Sequence, residues 1–144
     1  MRRDNDRGTI MMLVIGLVPV LAGLIAVGTD AAVLFSHRRA LVSQADSAVL
    51  AAAQSADLSA LYTSRRVDSL PLDCRGARKV VDQRLSQATL DPRTSRINLA
   101  DFRCGRTTVT LRLRSNVLLP FAKHFGIEPT VEVGADAAAT SPLR

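Results

Sequence analysis

Aromatic side chains are scarce in this chain of 144 residues, which has four Phe, one Tyr and no Trp. Proteins that bind single-stranded nucleic acid commonly stack its bases on aromatic rings. The net charge of +6 would permit such binding, but the arginines are spread as singles and pairs among acidic residues. We therefore expect no nucleic-acid partner and interpret the charge as a solvated basic surface, which would also suit anionic lipid head groups.

Metal-ligating residues are also few, with Cys74 and Cys104 as the only cysteines and His37 and His124 as the only histidines. Their spacing is not that of a zinc site. Two cysteines in a small domain fit one disulfide in an oxidising compartment, and the alternative is two buried free thiols in a reducing cytosol. We expect the disulfide and no metal.

Catalytic motifs are missing as well: the sequence contains no P-loop, GxSxG, HExxH, dinucleotide glycine motif or EF-hand. His124 has no neighbouring serine or cysteine that would suggest a nucleophile. Glu128 and Glu132 are four residues apart across a proline, so no helix face unites them, and Asp101 is expected in a turn. We expect no enzyme, no catalytic residue, no cofactor and no small-molecule substrate.

The most distinctive feature present is an uncharged run of twenty residues from Ile10 to Thr29. As a helix it would be about 30 Å long, the thickness of the hydrocarbon core of a bilayer. A secretory signal usually has a shorter apolar region before its cleavage site, whereas here helix-forming sequence follows directly. We expect a retained transmembrane helix over 9–35. A soluble product cut after the run is the less favoured alternative.

Charge alone does not orient this segment, because arginines flank it on both sides: Arg2, Arg3 and Arg7 before it, Arg38 and Arg39 after it. The expected disulfide and the long C-terminal portion place the bulk of the chain outside. We expect a single-pass protein of the cell membrane, with residues 1–8 in the cytoplasm.

Several residues of the segment could matter for interactions. Pro19 can kink the helix, which membrane helices tolerate. Gly16, Gly23 and Gly28 would let another helix approach closely. Asp30 lies either at the outer head-group boundary or slightly buried against a partner, and we expect the boundary.

The helix is predicted to continue beyond the membrane over 36–62, because no proline or glycine occurs between Ala31 and about Leu61. Alanine is dense here, and this either reflects only its high helix propensity or forms a surface for close packing on a sheet or another helix. One side of the helix carries Leu41, Ala45, Ala48, Val49, Ala52, Ala56 and Ala60.

The remainder, 63–137, is expected to be a small outer domain. "SLPLDCRG" is typical of a loop, and "GARKVVDQRLSQATL" predicts a second, short amphipathic helix. Three strands are predicted at "INLADFRC", whose alternation slips near Asp101, at "TTVTLRLRS" and at "PTVEVGADA". The fold class is therefore α+β, with a long N-terminal helix packed on a small antiparallel sheet, a second short helix and a flexible tail at 138–144.

The stretch from Arg7 to Ala53 resembles the TadG branch of the TadE/TadG-like family, membrane proteins of Flp (tight-adherence) pilus assembly. The order strand, "LPF", "FGI", strand extends the resemblance towards the C-terminus. The resemblance implies membrane-helix and interaction roles for the matching positions, and a pilin-like fold. These positions are Gly8 after Arg7, Pro19, Gly23 ahead of Asp30, and Asp46 in Gln44-Ala45-Asp46 before the alanine run Ala51–Ala53.

One departure concerns proteolytic processing. Class III pilins and TadE-like pseudopilins are cut after a glycine and carry a glutamate shortly beyond the cut. If Gly8 were that glycine, the fifth residue on would be Leu13, and no acid occurs before Asp30. The resemblance therefore favours a retained TadG-type membrane protein over a polymerising pilin.

Two functions follow as hypotheses. The first is a non-enzymatic component of a Tad/Flp-type pilus or related secretion assembly, with pilin, pseudopilin or membrane subunits and the lipid bilayer as partners. The alternative is a tethered envelope protein whose outer domain binds a soluble ligand or cell-wall polymer. The alternative requires that the part from about Ser64 onward folds alone.

Overall fold

The computed structural model describes residues 5–55, 72–88 and 96–141, with side chains from Ile10 onward. Within these residues the architecture is α+β, as predicted, and contains two α-helices and a three-stranded antiparallel sheet. The elements in chain order are α1 (Asn5–Ala53), α2 (Cys74–Gln87), β1 (Asn98–Cys104), β2 (Thr108–Leu118), a 3₁₀-helix (Ala122–Phe125) and β3 (Thr130–Thr140).

Helix α1 is one uninterrupted element of 49 residues that continues through Pro19. At 1.5 Å per residue it is about 73 Å long. It ends at Ala53, earlier than the predicted end near Leu61. The chain leaves the helical path where Ser55 donates its N–H to the Ala52 carbonyl and accepts from Asp73 N–H, both at 3.0 Å. Ala56 and Ala60 of the predicted stripe lie outside the described residues.

The central strand β2 pairs with β1 on one side and β3 on the other. Its alternation is as predicted, with every second side chain from Val109 to Val117 buried. The predicted slip in β1 is confirmed by an irregular register between Leu99 and Asp101. The turn predicted at Asp101 was wrong, because this residue lies within β1 and forms an ion pair with Arg103 at 3.0 Å.

Strand β3 runs further than the sequence indicated. The tail was expected to start at residue 138, but pairing with β2 continues to Thr140, which lies opposite Thr108. Ala137 and Ala139 are buried, so the alternation that identifies the strand continues in side chains too small to give a clear hydrophobic signal. The expected boundary was therefore too early.

The outer half of α1 and helix α2 form one layer, and α1 packs on β2 and β3 as well as on α2. The core lies between this helical layer and the sheet. Its largest fully buried apolar side chains are Leu41, Val49, Val81, Val109, Leu113 and Val117. Because α1 supplies part of this core, the residues from 63 onward do not make up the packed unit by themselves.

A disulfide joins Cys74 to Cys104, with a Cα–Cα distance of 5.8 Å. Cys74 was expected in a loop but is the first residue of α2. Asp73 caps this helix, since its side chain accepts a hydrogen bond from Arg75 N–H at 3.1 Å. The disulfide links the first residue of α2 covalently to the last residue of β1.

Candidate membrane and assembly surfaces

The first half of α1 is exposed although it is strongly apolar. Its most apolar window has a mean hydropathy of 2.8 and is 6% buried, whereas the core helix of a soluble protein would be mostly buried. Among the residues that the structure describes, this is the one helix long and apolar enough to cross a membrane. Large exposed side chains follow one another from Ile10 to Val27.

The glycines Gly16, Gly23 and Gly28 of this half are not used for packing inside the chain. Gly8 and Pro19 lie within α1. A Cβ atom added at Gly16, Gly23 or Gly28 would meet no atom within 4 Å. The glycine surface is therefore open, and contact with another helix remains a prediction.

The alanine stripe of the second half is a packing surface. Ala45, Ala48 and Ala52 are at most 1% exposed and belong to the core cluster with the sheet and α2. Of the two interpretations of the alanine density, close packing is the one that the structure supports. Asp46 lies outside this surface and is exposed, so its expected interaction role stays a prediction.

Asp30 has a partner within its own chain. It is partly buried, and its Oδ1 accepts a hydrogen bond from the backbone N–H of Phe121 at 3.1 Å. The contact gives Asp30 a partner within its own chain, and its expected position at the head-group boundary stays a prediction. Phe121 could not be predicted as this partner from the sequence, because 91 residues separate the two positions and no local periodicity connects them.

Beside this hydrogen bond, α1 and the β2–β3 connection enclose an apolar depression of about 240 Å³. Gly126 has φ +68° and reverses the chain after the 3₁₀-helix, which returns Ile127 towards α1. The depression is lined by Val27, Asp30, Ala31, Leu34, Leu119, Ala122, Phe125 and Ile127.

The outer face of the sheet carries paired charges. The Arg112 guanidinium donates to both carboxylate oxygens of Asp136, with Nη2–Oδ2 at 3.2 Å. Arg114 donates to Glu132 Oε1 at 3.0 Å. The hydrogen bond from Arg112 lowers the pKa of Asp136, and Asp136 raises the pKa of Arg112. These side chains are about half exposed, so water screens the pairs.

A shallow depression of about 440 Å³ lies on the same face, next to Arg103, Arg112 and Asp136. Under the alternative function, a tethered envelope protein that binds a ligand, this depression would be the binding site. The charged groups there already satisfy one another, which leaves little unpaired polarity to select a ligand. Within residues 5–55, 72–88 and 96–141, no group of three or more His, Cys, Asp or Glu side chains could hold a metal ion.

The exposed apolar helix and the packed helical and sheet layers together define a class of protein. Within the described residues, one helix long enough to span a membrane continues as the spine of a small α+β domain. Residues 8–65 match the family model of putative Flp pilus-assembly TadE/G-like proteins. This region contains most of α1 and less than half of the chain, and it does not separate the TadG from the TadE branch. No curated protein and no solved structure matches the chain. The family match supports the resemblance, and with the apolar helix it fits a pilus-associated membrane protein.

Proposed function

We propose that the protein is a non-enzymatic, single-pass membrane component of a Tad/Flp-type pilus or related secretion assembly. Its membrane helix would contact other membrane subunits, and its outer domain would contact pilin or pseudopilin subunits. The proposal includes the TadG type, in which the helix is retained in the membrane.

The observation that carries the proposal is the continuity of α1. A simple tether needs only a span, and a flexible linker after it would suffice. Here the same helix leaves the exposed segment and places Leu41, Ala45 and Val49 in the core. The span and the outer domain therefore share one helix, and a contact made by the span would act on the outer domain through it.

Chain orientation is part of the proposal. Disulfides persist in oxidising compartments, and this supports an extracytoplasmic outer domain. Residues 1–8 would then lie in the cytoplasm. The absence of an acid between Gly8 and Asp30 supports retention without cleavage by a prepilin-type peptidase.

Replacement of the span tests the proposal. Residues 10–25 are replaced by a leucine-rich span of equal length, which leaves Val27 to Leu34 and their contacts intact. The matched control has the same leucine background but keeps Gly16, Pro19 and Gly23. We expect both proteins to stay in the membrane with the disulfide formed, because the core does not involve residues 10–25.

The readout is co-purification with the assembly's membrane subunits and the presence of surface pili. The full replacement should lose both, and the control should keep them. If the full replacement assembles pili normally, the span is only an anchor and the proposal fails. That result would favour the tethered ligand-binding protein.

A further inference from the structure

In the part of the chain that the structure describes beyond α1, the exposed large apolar side chains lie together at one place. Among the described residues that follow α1, the large exposed apolar ones lie at the end of β2 and in the β2–β3 connection: Leu118 (49%), Phe121 (38%), Phe125 (50%) and Ile127 (61%). Elsewhere in the described outer domain such side chains are buried or half-buried. An exposed apolar patch of this kind marks contact with a protein or a membrane.

The position of this patch along α1 favours the membrane. The connection rests on α1 between Val27 and Leu34, where both elements line the apolar depression. Val27 is about 26 Å from Ile10 along the helix at 1.5 Å per residue. The hydrocarbon core is about 30 Å thick, so the patch lies at the outer end of the span and continues its exposed apolar surface.

The polar residues nearby also suit a head-group layer. Lys123 and His124 lie in the 3₁₀-helix and are exposed. The acids of the same region are Asp30, which accepts the hydrogen bond from Phe121, and the exposed Glu128. Lys123 and the two acids leave no net positive charge here, so the exposed apolar side chains, and not attraction to anionic lipids, suit this segment to the interface.

We propose that residues 118–127 form a second membrane contact, in which Phe121, Phe125 and Ile127 enter the outer head-group layer beside α1. The hydrogen bond from Phe121 to Asp30 fixes the depth of this contact. Two contacts, the span and the connection, then set the orientation of the outer domain relative to the bilayer. The inference rests on α1 crossing the bilayer as proposed above.

The absence of tryptophan permits a direct test with single-tryptophan variants of the full chain. Each variant is reconstituted into phosphatidylcholine/phosphatidylglycerol vesicles, and quenching by lipids brominated at upper acyl positions is measured. The test variant is Phe125→Trp. The matched control is Leu50→Trp, since Leu50 is similarly exposed at 57% but lies about 30 Å further along α1 than Asp30. Val18→Trp reports the span itself.

We expect lipid quenching of the Phe125→Trp variant to be several-fold stronger than that of Leu50→Trp, with emission at shorter wavelength. If Phe125→Trp resembles Leu50→Trp while Val18→Trp is quenched, the inference is wrong and the proposed function is unaffected. If Val18→Trp is not quenched either, the span is not in the bilayer and both proposals fail. Burial of the Phe125→Trp probe only after other assembly subunits are added would show a protein contact and would also refute the inference.

A second pair of variants tests the depth control in the Phe125→Trp background. Asp30→Asn keeps an acceptor oxygen for Phe121 N–H, whereas Asp30→Ala removes it. We expect Asp30→Ala to reduce lipid quenching at position 125 about two-fold or more and Asp30→Asn to retain most of it. Equal quenching in all three proteins would refute the role of Asp30.

Discussion

Within α1, large apolar side chains are exposed in the first half, with Leu24 at 65%, whereas in the second half Leu41 and Ala45 are fully buried. The backbone is the same uninterrupted helix in both halves. The surroundings of the side chains therefore differ between the two halves of one helix. Lipid would cover the first half, whereas the sheet and α2 cover the second. The hydrophobicity of a single residue does not tell whether it lies in the protein core or on the apolar span. The length of the uncharged run around it separates the two cases.

The largest effect should come from separating the two halves. A fragment that begins at Ser64 lacks the buried α1 side chains Leu41, Ala45 and Val49, so we expect it not to fold. A fragment that begins at Ala32 keeps them and should fold with its disulfide. Circular dichroism and hydrogen exchange of the two fragments check this. A folded fragment from Ser64 would show that α1 is dispensable for the outer domain.

The same substitution in different parts of α1 should give unequal results. Leu41→Ala removes a fully buried side chain and should lower the free energy of unfolding by about 2–5 kcal/mol. Leu50→Ala, at a position that is 57% exposed, should change it by about 0.5 kcal/mol or less. Denaturant unfolding of the full chain in mild detergent measures both. Equal losses would mean that the second half does not pack as described.

Loss of the disulfide should destabilise the outer domain and leave the span untouched. The bond closes a loop with a sequence separation of 30, so the Cys74→Ser/Cys104→Ser variant should lose about 2–4 kcal/mol. Reduction of the unaltered chain should give the same loss. Membrane retention, measured by carbonate extraction, should not change. An unchanged denaturation midpoint after reduction would contradict the prediction.

The smallest effect should come from the outer-face ion pair. The pKa of Asp136 is lowered in the folded chain, so its contribution to stability is present above the unfolded value of about 3.9 and is lost as the pH falls through the folded pKa. In the Asp136→Asn variant, the free energy of unfolding should therefore decrease slightly less on acidification than in the unaltered chain. Arg112→Gln removes the partner and should have the same effect. The free energy of unfolding, measured as a function of pH at low salt, tests this. If both variants show the same pH dependence below about pH 5 as the unaltered chain, the ion pair makes no such contribution.

Elements with a clear local pattern could be predicted from the sequence. The alternation Val109, Leu111, Leu113 identified β2, and the irregular step near Asp101 was visible as a slip in that alternation. The long helix, the short second helix and the α+β class were also correct. Each of these depends on residues a few positions apart, whose spacing records which face they bury.

The errors arose where distant residues decide the structure. The end of α1 depends on Ser55 pairing with Asp73, and no proline or glycine marks it. The extension of β3 through Ala137 and Ala139 depends on pairing with β2. The contact of the β2–β3 connection with Asp30 was not predicted.

The sequence by itself determined the candidate membrane span, the strand alternation and the family resemblance, because these are properties of short stretches: an uncharged run of sufficient length and a repeat of two. Only the tertiary structure decided which alanines are core, where α1 ends and what Asp30 contacts. Those features depend on free energies of packing and hydrogen bonding between segments far apart in the chain, and such energies leave no local signature.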